Sequence, residues 1–160
     1  MSWPTIDPAD VPAAPHTATL RLEPLHPRHN RRDHAAWMSS IDHIHATPGF
    51  QPGVWGGDSW PYEMALEANR ADLEMHWDEF RRGVAYAYTV LDPHTDDVIG
   101  CVYIDPDEAP LGPDGVRADA MVRSWVRASH AHLDGELARV VGDWLASSWP
   151  FAGVRWPGRP

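Results

Sequence analysis

Lysine is absent from this 160-residue chain, and all 13 basic residues are arginine. Cysteine occurs once, at Cys101, so no internal disulfide can staple the fold. Its neighbours Gly100 and Val102 sit in an apolar run, which makes Cys101 a buried, inert thiol rather than a nucleophile. No apolar run approaches bilayer length, so a membrane partner is not expected. The start, Met1-Ser2-Trp3-Pro4, lacks a basic segment followed by an apolar one. No secretory leader is therefore expected, and a cytoplasmic location is the expectation. There is no Gly-rich loop ending in Lys-Ser/Thr, no Ser-His-Asp or Cys-His spacing, and no internal repeat.

What is present is acid. The formal net charge is −10, which repels phosphate backbones and excludes nucleic acid as a natural partner. Cationic or neutral small molecules fit such a surface better. The length is that of one domain, able to bury roughly 70% of its unfolded surface. Nine tryptophans are many for that size and imply aromatic walls as well as core.

Residues 1–17 carry Pro4, Pro8, Pro12 and Pro15 with little apolar periodicity, and read as an extended or disordered arm. Residues 18–160 then form a single domain. Residues 19–25 alternate as a first strand. Asn30 or Asp33 can cap a helix carrying Ala36, Trp37, Ser40, Ile41 and Ile44, closed by Pro48-Gly49. Residues 50–62 are a glycine-rich loop holding Trp55 and Trp60. Aromatics on such a loop either cover a pocket and touch substrate or pin the loop down. Residues 63–82 show a helical apolar stripe ended by Gly83. Residues 85–91 and 98–105 read as a hairpin pair of strands, followed by a turn-rich connection.

The organising stretch comes last. Residues 121–129 alternate as a strand. Leu133, Leu137, Val140, Val141, Trp144 and Leu145 then fall on one helical face, stopped by Pro150, and 151–156 is a further apolar run. Strand, helix and strand make a βαβ unit with a right-handed crossover. The turn before its helix joins the carboxyl end of a strand to the positive end of a helix dipole, a habitual ligand position in open sheets.

This order of elements resembles the GNAT N-acetyltransferase superfamily over residues 19–156. Thr19-Leu20-Arg21-Leu22-Glu23-Pro24-Leu25 resembles its opening strand. Residues 86–92 and Val98-Ile99-Gly100-Cys101-Val102-Tyr103-Ile104 resemble its second and third strands, with the glycine early in the third. Ser124-Trp125-Val126 resembles the end of its fourth. The resemblance implies an α/β (α+β) fold: a mixed, mostly antiparallel twisted sheet, two helices after strand one, a crossover helix, and fourth and fifth strands that splay apart. It implies an acyl-CoA-dependent N-acyltransferase acting on a small amine, with acetyl-CoA or another acyl-CoA as donor. Main-chain groups of Trp125, Val126, Arg127 and Ala128 would hold the pantetheine arm. The turn with His132, Leu133, Asp134 and Gly135 would face the pyrophosphate, with Arg127 or Arg139 nearby.

The chain departs from the family in three places. Of the Gln/Arg-x-x-Gly-x-Gly/Ala loop only Gly135 is present. Asp134 reads instead as an N-cap, and Asp134 and Glu136 would each repel a pyrophosphate by about 1 kcal/mol or more. Protonated His130 and His132 would offset part of that. The fourth strand lacks the glutamate base that many members carry, its neighbourhood being Asp119-Ala120-Met121-Val122. A helix with a tyrosine acid and two last strands have no counterpart before Pro160, so the fifth strand is expected as an edge through which two chains could pair. A catalytically degenerate ligand- or protein-binding domain is the alternative.

Transfer to an amine needs a base and a polarised thioester carbonyl. Asp119, His43, Glu63 and Asp105 are the candidate bases, and Tyr103 is a candidate donor to an intermediate. Ten histidines include the pairs His26/His29, His43/His45 and His130/His132. None has the His-x-x-x-His spacing of a helical zinc site, and no metal is expected.

Overall fold

Five short runs pair edge to edge in the computed structural model, which describes residues 3–52, 59–108 and 118–159. They are β1 (Arg21–Pro24), β2 (Tyr86–Leu91), β3 (Val98–Pro106), β4 (Ala120–Val126) and β5 (Val154–Arg155). Sheet order follows chain order. β1 to β4 are antiparallel neighbours, and β5 joins β4 in parallel after the crossover. The helices are α1 (Asn30–Met38), α2 (Ile41–His45), α3 (Leu66–Arg82) and α4 (Asp134–Ser148).

Alternation along the strands decides which layer each side chain joins. Val102 and Ile104 of β3 and Val122 and Val126 of β4 are buried against Leu137, Val141, Trp144 and Leu145 of α4. Cys101 and Trp125 belong to the other face, with Ala36 and Trp37 of α1 and Leu73 of α3. Each such fully buried large side chain contributes roughly 1.5–3 kcal/mol. The β2–β3 register slips between Val90 and Leu91, so Ile99 joins the α4 side two residues before Cys101 joins the other. Gly100 sits at that irregularity, and any Cβ there would run into the Trp125 carbonyl oxygen. The slip is a β-bulge that lets β4 approach closely.

Two local features differ from the sequence reading. The single helix expected between a cap at Asn30 or Asp33 and the stop at Pro48-Gly49 breaks at Ser39–Ser40 into α1 and α2. Ser39 Oγ turns back to the Ala36 carbonyl at 2.8 Å, satisfying an end-of-helix acceptor with a side chain. Asp134 is the first residue of α4, not its N-cap, and residues Ala128–Leu133 wind into a 3₁₀ helix that leads into it. The N-terminal arm is extended and packed on the α4 side of the sheet. Trp3 Nε1 donates to the Gly83 carbonyl at 2.8 Å, Trp144 Nε1 donates to that of Ala13 at 2.9 Å, and Ile6, Val11 and Ala14 cover the core. α3 ends as expected at Gly83, whose left-handed φ of 70° closes the helix.

The pairing of β4 with β5 is short. Ala120 faces Val154 and Met121 faces Arg155, and there the ladder stops. Residues 122–126 of β4 have no partner in β5, because β5 ends at Arg155, and this leaves a gap beside the carboxyl end of β4. The outer edge of β5 is only two residues long, a short seam for pairing with a second chain. No helix among the described residues is long and apolar enough to cross a membrane.

Candidate functional site

Two features meet at β4: a gap beyond its last contact with β5, and a cavity on its α3 side. Main chain beyond that last contact has no β5 partner, although Ser124, Trp125 and Val126 are fully buried. The Ser124 carbonyl, turned away from β3, accepts from Arg159 Nη2 at 3.3 Å. Ser124 Oγ is fully buried and has no hydrogen-bond partner among the described residues. Arg159 also grips Asp134 with two nitrogens, Nη1 to Oδ2 at 2.8 Å and Nη2 to Oδ1 at 2.9 Å. Such fork-to-carboxylate pairs are directional and strong for their kind. The Asp134 carboxylate thus points across the gap rather than onto the helix amides.

The residues expected to hold a cofactor flank this gap unequally. Trp125 is wholly buried, and its indole Nε1 donates to Tyr103 Oη at 3.1 Å. The Val126 side chain is core. The Arg127 amide returns to the Ile99 carbonyl, and its guanidinium donates to Val98 O at 3.2 Å and toward Ser39 Oγ at 3.4 Å. The Ala128 amide is taken by Ser40 Oγ at 2.8 Å, so the α1–α2 break clamps the exit of β4. Leu133 packs partly against the core, while His132 and Gly135 are exposed. A Cβ on Gly135 would meet nothing within 4 Å. Arg139 lies on the solvent side of α4, 3.8 Å from Asp143.

The cavity measures about 480 Å³. Phe50, Trp60 and Tyr103 form its aromatic wall, Met64, Leu73 and Met75 add apolar surface, and Asp72, His76, Glu79, Asp105 and Arg123 bring charge. Strand alternation explains the last two: Tyr103, Asp105, Arg123 and Trp125 face one side of the sheet. The Arg123 guanidinium lies over the rings of Phe50 and Tyr103, 4.8 and 5.1 Å from their centres, with Nη2 3.8 Å from Asp105 Oδ2. Burial pushes the Asp105 carboxyl above its ordinary range, and the nearby Arg123 charge only partly offsets this. Burial raises Asp72 likewise, and holds Tyr103 firmly protonated.

Of the residues singled out from sequence, Tyr103, Asp105 and Trp60 line this cavity. Trp60 is also an anchor, its ring centred 5.5 Å from Trp37 and 6.2 Å from Trp125. Trp55 lies outside the described residues. His43 and Glu63 line a separate, more open hollow beside Ser40 and Ala128. Asp119 is buried at the start of β4, where its Oδ2 accepts from the Ala152 amide at 2.6 Å and fastens the approach to β5. It lines neither hollow. Arg123, His76, Glu79 and Arg159 were not singled out. An arginine alternating with tryptophan on a central strand was the available signal for Arg123. Among the described residues, no three His, Cys, Asp or Glu side chains converge as metal ligands do.

This sheet order, with the parted β4 and β5 and the crossover α4, is the fold of the GNAT-family acetyltransferases. No protein-family model and no curated protein matches the sequence. Solved structures match the fold. One is RimL, a ribosomal L7/L12 alpha-N-protein acetyltransferase in complex with coenzyme A, at 16% identity and a TM-score of 0.59, over 83% of this chain and 67% of that one. A second, from Salmonella typhimurium, modifies the N-terminal serine of L7/L12 and matches at 14% identity and a TM-score of 0.57, over 83% and 67%. A third is the microcin C7 self immunity acetyltransferase MccE, in complex with acetyl-CoA and AMP, at 8% identity and a TM-score of 0.58, over 88% and 68%. The chain spans about two thirds of the length of these neighbours.

Proposed function

We propose that the protein is an acyl-CoA-dependent N-acyltransferase whose acceptor is a cationic amine with an apolar body. The observation that carries this reading is the parting of β4 from β5 after Met121, with the Ser124 carbonyl turned into the gap, on a fold shared with acetyltransferases. The gap fits a thin arm bearing amide N–H groups, since its orphan carbonyl already accepts from a guanidinium N–H. Acyl-CoA bound there would supply a thioester, whose carbon takes the amine nitrogen as the C–N bond forms and the C–S bond breaks. The Ser124 carbonyl would hold the arm, since the Arg127 and Ala128 amides are already taken by the Ile99 carbonyl and Ser40 Oγ.

The acceptor side follows from the cavity. Arg123 lines it, and the next residue along β4 presents its carbonyl to the gap, so the two features share one stretch of strand. Asp72, Glu79 and Asp105 outnumber Arg123 and favour an ammonium group, while Phe50, Trp60 and Tyr103 favour an apolar or aromatic body. Asp105 is the proposed base. Burial raises its carboxyl above the ordinary aspartate range, which makes the ionised form a better acceptor for the amine proton before attack. Tyr103 is the positioning wall, its hydroxyl fixed by Trp125. His43 and Asp119 have no part in this scheme.

The test is thiol release from acetyl-CoA across a panel of amines at neutral pH. Phenethylamine-like amines should turn over and acidic amino acids should not. Asp105→Asn should lower kcat/KM by roughly 10²- to 10⁴-fold, the usual yield of a positioned base, with little change in melting temperature. Absence of release across the panel would remove the proposal. A second reading, a degenerate binding domain, draws on the Asp134–Arg159 pair across the gap. It requires amine binding to the cavity without turnover.

A further inference from the structure

We infer that Arg159 is the residue that sets acyl-CoA affinity, by standing in the β4–β5 gap as an internal surrogate for the pantetheine arm and leaving when the donor enters. This rests on the acyltransferase reading above. The argument begins with the Ser124 carbonyl. It points where a β5 neighbour would lie in an ordinary parallel ladder, but the ladder ends at Met121 and Arg155. Ser124 is fully buried, so this carbonyl needs a donor, because an unmet buried polar group is costly. Arg159 Nη2 supplies that donor at 3.3 Å. A pantetheine amide N–H bound along β4 would seek the same oxygen from the side where the Arg159 guanidinium now stands, so the two compete for that place.

Arg159 is held in that place from two further directions. Asp134 binds both terminal nitrogens at 2.8 and 2.9 Å, with the arginine side chain only 12% exposed. The chain reaches it through a turn closed by the Arg159 amide on the Trp156 carbonyl at 3.2 Å, where Gly158 has a φ of +74° and lies against Pro48. The backbone position is thus fixed near β4, and only the side chain needs to swing. Asp134 suits the first turn of α4 through the helix dipole, and its grip on Arg159 adds a second role. A carboxylate is wrong for receiving a pyrophosphate, but right for parking a guanidinium. Once displaced, Arg159 leaves Asp134 uncompensated, which further weakens donor binding and makes both residues determinants of affinity.

The experiment is calorimetric titration of the full chain with coenzyme A and, separately, with pantetheine, which carries no phosphate. Arg159→Ala should tighten both ligands by about tenfold, the scale of one released charge-assisted contact. Asp134→Asn, which loosens the arginine without removing it, should tighten both in the same direction, and it keeps the inference testable where Arg159→Ala lowers the melting temperature. Unchanged affinity in both variants, with clear binding of coenzyme A to the unaltered chain, would overturn the surrogate role and leave the acyltransferase reading standing. Weaker binding of coenzyme A to Arg159→Ala would overturn it too, and would make Arg159 a phosphate ligand. If neither ligand binds to any of the three proteins, the acyltransferase reading falls, and this inference with it.

Discussion

Asp105 lies under two opposing influences, and their balance sets when it can act. Burial raises its carboxyl above the ordinary carboxylate range, while the Arg123 guanidinium at 3.8 Å pulls it back. A base must be deprotonated, so the acidic limb of kcat/KM should sit above the usual aspartate range. Arg123→Met keeps an apolar stem against Phe50 and Tyr103 but removes the charge. The acidic limb should then move to higher pH, read from a pH–rate profile; a shift to lower pH would exclude Asp105 as the titrating base. Gly100 poses a purely steric case. A Cβ there collides with main chain at Trp125, which cannot rotate away as a side chain could. Gly100→Ala should cost about 1–3 kcal/mol, as overpacking does, seen as a lowered denaturation midpoint. Residue type revealed the glycine but not its reason, because the bulge that needs it arises from the β2–β3 register. Asp105 was among the candidate bases, but its pairing with Arg123 stayed hidden for a related cause. They are partners across strands, and nothing local in sequence marks such a pair.

At the scale of elements, α1 and α3 are joined by a buried polar network. Asn69 Nδ2 donates to Asp33 Oδ2 at 3.0 Å and to Asn30 Oδ1 at 2.9 Å, and Trp37 Nε1 donates to Asn69 Oδ1 at 3.0 Å. Burial pushes the Asp33 carboxyl up to about 6 from an ordinary 3.8, with Asn69 opposing. Between those values the folded chain holds a proton that the unfolded chain has released. The contribution is therefore complete below the lower value and lost as pH rises through the upper one, a change on the order of 3 kcal/mol. Asp33→Asn has no proton to lose. Urea unfolding at pH 4 and pH 7 should show the variant gaining relative to the parent at the higher pH; equal pH dependence in both would refute the assignment. The helices themselves were legible, because α3 and α4 carry clear apolar stripes with Gly83 and Pro150 as stops. The break at Ser39–Ser40 was not. It depends on Ser40 Oγ meeting the Ala128 amide, a contact between residues far apart in the chain.

On the scale of the whole molecule, proline content alone could not place the N-terminal arm, because its order comes from tertiary contacts. Trp3 and Trp144 find carbonyl partners only once the sheet has formed. The strand–helix–strand unit was legible as a pattern, whereas the parting of its two strands was implied only by the resemblance to the GNAT superfamily. Charge is the whole-molecule property with the sharpest consequence. A net charge of −10 sets up a field that attracts cations and repels anions. The two proposed substrates have opposite signs, an ammonium acceptor and a polyphosphate donor. Screening extends only about 10 Å at 0.1 M salt, against about 30 Å at 0.01 M, so salt should act on them in opposite directions. Raising ionic strength should increase KM for a cationic amine, because attraction toward the acid-lined cavity fades. It should lower KM for acetyl-CoA, because repulsion from the surface and from Asp134 and Glu136 fades as well. The kcat at saturation, set by contacts too close for salt to screen, should hardly move. Steady-state kinetics over that salt range, with one substrate saturating and the other varied, reads both signs in one preparation. If both KM values move together, the acceptor does not bind as a cation in this field, and the cavity is not where the amine enters.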